Sequence, residues 1–200
     1  MADRYLTIGA PSEGRYTEKM SRFLAFACPA SDAAEAKATI AAYANKYHDA
    51  RHVCWAYMVG PDRTEYQSSD NGEPSGTAGK PILGQINSFG LTDIVIVVVR
   101  YFGGIKLGTS GLISAYREAA REAIQAADIV ERRQMATLTF SFPYLAMNDV
   151  MRLVKTSGAT IAGQNFDNTC SMTLTLPLDA MEALRPRLEN IGGVSIAQGN

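Results

Sequence analysis

The sequence predicts an α+β protein in two parts, and three observations predict it. The run Ile94-Val95-Ile96-Val97-Val98-Val99 is apolar and β-branched with no polar alternation, the pattern of a strand buried on both faces. Two Gly-rich segments, residues 70–81 and 100–111, are separated by that strand, and each precedes a helix. Beyond the polar stretch Glu131-Arg132-Arg133-Gln134 the elements read in the order βαββαβ, which is the ferredoxin-like arrangement. The polar stretch sets the boundary, giving one domain over residues 1–131 and a second over 135–200.

The elements follow in order. Arg4 to Ile8 and Gly14 to Glu18 read as short opening strands, and Arg22 to Cys28 as a stronger one ended by Pro29. Ser31 or Asp32 offers an N-cap, with Glu35 placed for a capping box. The helix that follows, to about Tyr47, puts Ala36, Ile40, Tyr43 and Ala44 on one face. His52 to Val59 is a strand turned by Gly60-Pro61-Asp62, and Arg63 to Gln67 returns beside it. Thr77 to Phe89 is a helix interrupted at Pro81 and Gly84. After the buried strand, Thr109 to about Asp128 is a long Ala-rich helix.

In the second half, Met135 to Phe142, Thr160 to Asp167, Thr169 to Leu176 and Val194 to Ala197 read as strands. Tyr144 to Lys155 and Asp179 to Glu189 read as helices. This half contains no histidine and few charges near any loop cluster, so nothing in it reads as catalytic.

Composition narrows the function classes. Two hundred residues, 46% hydrophobic and 20% charged, describe an ordinary globular chain with room for a proper core. No apolar run approaches the roughly 20 residues that a spanning helix needs, and the N-terminus lacks a signal-peptide core. Cys28, Cys54 and Cys170 are odd in number and far apart, which suits packing thiols in a reducing cytoplasm. Lys and Arg total 19 against 20 Asp and Glu, so the net charge is −1. That argues against a protein held mainly by sequence-independent attraction to phosphate backbones.

The chemistry sits in the two Gly-rich segments. A glycine loop leading into a helix offers unpaired N–H groups and partial positive charge to an anion. In the second segment Gly103, Gly104, Gly108 and Gly111 permit close approach, and Thr109 and Ser110 cap or donate. Arg100 and Lys106 supply charge there, while Tyr101 and Phe102 could stack on a base or sugar. The spacing is not that of a Walker A loop. The alternative is that these glycines serve turns and packing, with both aromatics in the core.

In the first segment Asp70 and Glu73 suit a hard cation or acid–base work, or else sit over a helix begun near Ser75 or Thr77. The structural role of the carboxylates is the favoured one, and Asp70, Glu73, Ser75, Gly76 and Thr77 make up a second candidate loop. His48 and His52 read as a helix end and a strand start, and no metal site or cofactor is expected. Lys19, Lys80, Arg22 and Arg51 are candidates to join Arg100 and Lys106 in one basic patch.

The blocks Asp70-Asn71-Gly72-Glu73-Pro74-Ser75-Gly76-Thr77-Ala78-Gly79 and Val98-Val99-Arg100-Tyr101-Phe102-Gly103-Gly104-Ile105-Lys106-Leu107-Gly108 resemble those of the YigZ/IMPACT family. Lys19-Met20-Ser21-Arg22-Phe23 and Asp49-Ala50-Arg51-His52 also fit, and the resemblance covers essentially the whole chain. It implies an N-terminal two-layer α/β domain like that of certain ribosomal proteins and galactokinase-type kinases. It further implies a C-terminal domain similar to the last domain of elongation factor G. Eukaryotic relatives regulate translation by competing for an activator of a stress kinase, and the fold implies nucleic-acid binding for bacterial ones. Two departures stand out. Asn71 replaces a usual second Asp, and Ser114 with Thr109-Ser110 replaces a basic residue and Ala-Gly.

The resulting expectation is a non-catalytic, cytoplasmic binding protein associated with RNA or the ribosome, or with a protein partner in translation control. An enzyme acting on a phosphorylated metabolite or nucleotide at the Gly-rich cleft is the alternative. A protein-interaction module is a second alternative.

Overall fold

A computed structural model describes residues 3–197. The elements begin β1 (Arg4–Ile8), β2 (Ser12–Glu18), β3 (Ser21–Pro29), α1 (Ala33–Lys46), β4 (His52–Val59) and β5 (Glu65–Ser69). They continue α2 (Gly79–Ser88), β6 (Ile94–Tyr101), α3 (Gly108–Gln125) and β7 (Ile129–Arg133). The chain divides into two compact units, one of residues 5–132 and one of residues 133–197 together with residues 3–4.

In the first unit five strands form one sheet in the order β2-β3-β6-β4-β5, antiparallel throughout. The apolar run of β6 is its central strand, and Ile94 to Val99 are fully buried. Strand alternation divides that run between two cores. Ile94, Ile96 and Val98 pack with α2 and α3, whereas Val95, Val97 and Val99 pack toward Ala36, Ile40 and Tyr43 of α1. The sheet is therefore covered on both faces, and the unit has three layers where two were expected. The absence of polar alternation in β6 already required this, because a strand with a solvated face carries polar side chains at every second position.

Local chemistry sets the helix boundaries. Asp32 is the N-cap of α1: its carboxylate accepts from Glu35 N–H at 2.8 Å. The Glu35 carboxylate in turn accepts from the Ser31 N–H and hydroxyl at 2.7 and 2.8 Å. Helix α2 is continuous across Pro81 and Gly84, where an interruption was expected. Pro81 lies in the first turn, where its missing N–H costs nothing. The polar stretch expected as a break is instead the end of β7, paired with β1 in a two-stranded ribbon. Most of its side chains are exposed, so no apolar alternation marks it as a strand.

The second unit comprises β8 (Met135–Phe142), a single 3₁₀ turn (Tyr144–Ala146), α4 (Met147–Ser157), β9 (Thr160–Phe166), β10 (Cys170–Pro177), α5 (Leu178–Glu189) and β11 (Ser195–Ile196). Its antiparallel sheet runs β11-β8-β10-β9. Leu138, Phe140 and Phe142 of β8 and Met172, Leu174 and Leu176 of β10 pack with Val150 and Val154 of α4 and Leu184 and Leu188 of α5. The other face is lined by hydroxyls, with Thr139 against Thr173 at 3.0 Å.

Candidate anion-binding cleft

The site belongs to the first unit and begins with strand register. In β6 the alternation that buries Val98 and Val99 on opposite faces does the same to the two residues that follow. Arg100 falls on the α2/α3 face, and Tyr101 on the α1 face. Register sets Phe23 of β3 and His52 of β4 directly opposite Arg100 on either side. Three central strands thus deliver a phenyl ring, a guanidinium and an imidazole to one face.

Arg100 is only 5% exposed and needs a counter-charge. Glu73, 8% exposed, supplies it, with Oε1 accepting from Arg100 Nη1 at 2.6 Å and from the Tyr116 hydroxyl at 2.7 Å. Ser21 Oγ accepts from the Gly103 N–H at 3.2 Å and from Arg100 Nη2 at 3.5 Å. Arg100 Nε remains buried with no acceptor among the described residues. The guanidinium lies 5.6 Å from the ring centroids of both Phe23 and Phe102.

Below this cluster Cys54 Sγ donates to the Asp70 carbonyl at 2.9 Å. Burial pushes the Cys54 thiol up to about 12, despite the Tyr116 hydrogen bond and the Arg100 charge acting the other way. Burial, with Cys54 and Glu73 beside it, raises the Tyr116 phenol as well. Both groups therefore stay neutral and act as packing and hydrogen-bonding elements.

Over the cluster opens a cleft of about 380 Å³. Its walls include Arg51, His52, Glu73, Pro74, Arg100 and Phe102, and the start of α3: Lys106, Leu107, Gly108, Thr109 and Leu112. No side chain caps the first turn of α3. Gly108 begins that turn at φ +75°, a conformation that favours glycine. Gly103 is required for a different reason: a Cβ there would overlap the backbone of Met20 and Ser21.

The cleft gathers part of the expected set. Arg51, Glu73, Arg100, Lys106, Gly108 and Thr109 come together. Tyr101 does not join them: its hydroxyl donates to Asp49 at 2.8 Å, and its ring lies 5.0 Å from the Arg22 guanidinium. Lys80 and Gly76 line a groove of about 410 Å³ with Arg117. Ser110 and Lys19 line a third depression. Gly104, at φ +90°, shapes the loop.

Asp70 and Glu73, taken together in the sequence, have separate tasks. The Asp70 carboxylate accepts from Gly76 N–H at 2.8 Å, Ala78 N–H at 3.0 Å and Gly79 N–H at 2.8 Å, covering the start of α2. Burial works against its charge, but those N–H groups outweigh it and hold the carboxyl below its usual range. Thr77 Oγ1 donates to the Pro74 carbonyl at 2.6 Å, and Ser75 is exposed.

Sequence reasoning missed His52, whose Nε2 lies 3.7 Å from Glu73 Oε2 and whose Nδ1 lies 2.8 Å from the Asn71 carbonyl. It also missed the supports Ser21, Phe23 and Tyr116. Among the described residues no group of three or more His, Cys, Asp or Glu is arranged to hold a metal ion. No helix among them is long and apolar enough to cross a membrane.

The family model of the Impact N-terminal domain matches residues 19–124, which include every wall of this cleft. The chain belongs to the IMPACT family. The IMPACT family member YvyE of Bacillus subtilis is 37% identical over 72% of this chain and 66% of its own length. The family member YigZ of Escherichia coli is 33% identical over 80% of this chain and 79% of its own. A crystal structure of a hypothetical protein superposes with a TM-score of 0.78, at 28% identity, over 100% of this chain and 99% of that one. The two blocks that resemble the IMPACT family both line the cleft, one through Glu73 and Pro74 and the other through Arg100, Phe102 and Lys106. The shorter Lys19–Phe23 block carries Ser21 and Phe23, which hold Arg100 in place.

Proposed function

We propose that this IMPACT-family chain is a non-catalytic binding protein that associates with RNA or the ribosome and grips a phosphate in the cleft. The observation that carries the proposal is the uncapped N-terminus of α3 beside Lys106 and Arg51, with a buried Arg100 Nε that has no acceptor among the described residues. Unpaired N–H groups, a helix dipole and fixed cations are the groups that favour a phosphate oxyanion. Phe102, 43% exposed and facing two guanidiniums, offers a stacking surface for a base. A chain of net charge −1 suits a local grip of this kind better than long non-specific tracking of a backbone.

The strand order β11-β8-β10-β9 supports reading the second unit as ferredoxin-like. The similarity to ribosomal proteins and elongation factor G, with a cytoplasmic role in translation control, belongs to the same proposal. The test replaces Arg51 and Lys106 by Ala, because both are exposed and neither holds the fold. RNA or ribosome association should weaken about tenfold or more, and the salt slope should fall by about two. Unchanged association would rule out the cleft as the contact.

His52 favours a second reading, an enzyme acting on a phosphorylated metabolite or nucleotide. A backbone carbonyl holds its Nδ1 at 2.8 Å, and His52 lines the cleft, as a general base requires. Turnover of a phosphate ester by the wild-type chain, abolished by His52→Ala, would replace the binding reading with this one.

A further inference from the structure

Resting on the phosphate reading above, we infer that the cleft also reads the ribose, taking a 5′-phosphorylated ribose whose 2′,3′-diol is free. The cleft lining holds both donors and acceptors. The α3 side presents donors and positive charge from Lys106 and the helix N-terminus. Beside Arg51 and Arg100 the lining also holds acceptors. Glu73 Oε1 is filled by Arg100 and Tyr116, but Oε2 has no hydrogen-bond donor among the described residues, and His52 Nε2 lies 3.7 Å from it.

The carbonyl of Asn71 can only accept, so the hydrogen of His52 sits on Nδ1. In the neutral ring Nε2 is then an acceptor. Nε2 and Oε2 stand 3.7 Å apart, too far for a direct hydrogen bond. Two neighbouring acceptors at the floor of a cleft call for two neighbouring donors from the ligand. A cis-diol supplies two hydroxyls on adjacent carbons. In a ribose 5′-phosphate they lie at the far end of the sugar from the phosphate, and the acceptors and the start of α3 line the same cleft.

The cleft, at about 380 Å³, is near the lower end of small-ligand sites, with room for one nucleotide. Phe102 lies at its edge, where a base would stack. Two sources carry this chemistry: a free ribonucleoside 5′-monophosphate and the 3′-terminal nucleotide of an RNA.

Calorimetric titration of the full chain tests the inference with five probes. They are adenosine 5′-monophosphate, its 2′-deoxy analogue, inorganic phosphate, a short RNA with a free 3′ end and the same RNA after periodate oxidation of its terminal diol. Loss of one hydroxyl from a charged acceptor should weaken binding about tenfold or more. Oxidation of the RNA end should do at least the same. His52→Ala should bring the ratio of ribose to deoxyribose affinity close to one, a change in discrimination that general loss of structure would not give.

Binding of the monophosphate with deoxy discrimination identifies a free nucleotide. Binding of only the unoxidised RNA identifies an RNA end, and either supports the inference. Equal affinity for ribose and deoxyribose, and for intact and oxidised RNA, overturns it while the phosphate reading stands. No binding of any probe, phosphate included, overturns both.

Discussion

The two helix starts that flank the central strand differ in one respect, and that difference separates fold from function. Helix α2 starts under the carboxylate of Asp70, which accepts from three backbone N–H groups of the chain itself. Helix α3 starts with no side-chain cap, in a cleft edged by Lys106 and Arg51. Each start is Gly-rich, and each fits the description of an anion site. One is filled from within by the chain's own carboxylate. The other has no such side-chain cap among the described residues, so glycine content alone does not tell the two starts apart.

The change expected to disturb this contrast most is at the charge beneath the uncapped start. Glu73→Ala would leave Arg100 buried without its counter-charge, and urea denaturation should show a loss of about 3–5 kcal/mol. A loss under about 1 kcal/mol would mean that the pair does not hold the cleft floor.

Asp70→Ala removes the internal anion from α2, with an expected loss of about 2 kcal/mol. It should leave phosphate binding at α3 unchanged. The same carboxylate sets an acid dependence. Its folded pKa is lowered, so the unfolded chain binds more protons and stability rises with pH through this region. Its contribution is complete above the unfolded value, about 3.9, and is lost as pH falls through the lower folded value. Asp70→Asn should therefore flatten the acid limb of a stability-versus-pH curve, and an unaltered limb would count against the assignment.

Gly108→Ala sharpens the other side. At φ +75° it should cost about 1–2 kcal/mol in strain, read by thermal melting, and should weaken phosphate binding at α3. The smallest effect is chemical. With its thiol pushed up to about 12 and buried, Cys54 should resist iodoacetamide at about pH 8 in the folded protein. Rapid labelling would show that the cluster opens in solution.

Much of the frame was legible in the sequence because it depends on local pattern. The β6 run announces a strand with two covered faces, and Ser31, Asp32 and Glu35 announce the start of α1. Position along the chain also suggested that Asp70 guards a helix start. What was not legible depends on register between distant strands. Arg100 and Tyr101 are adjacent in sequence, yet alternation sends them to opposite faces, so the expected pairing of charge and aromatic passes to Phe102 instead. His52 reads as the first residue of a strand until β4 is placed beside β6, which sets it against Arg100. Glu73 and Asp70 are three residues apart, and only the turn between them shows that one caps α2 while the other is buried under the cleft.

If α3 presents an anion site to ligands while α2 has its own filled by Asp70, an amide chemical-shift titration with inorganic phosphate will separate the two helix starts. Saturable shifts are expected at Gly108, Thr109 and Ser110, with Gly76, Ala78 and Gly79 unmoved. Shifts at Gly76, Ala78 and Gly79 with none at Gly108, Thr109 and Ser110 would contradict the assignment of the two sites.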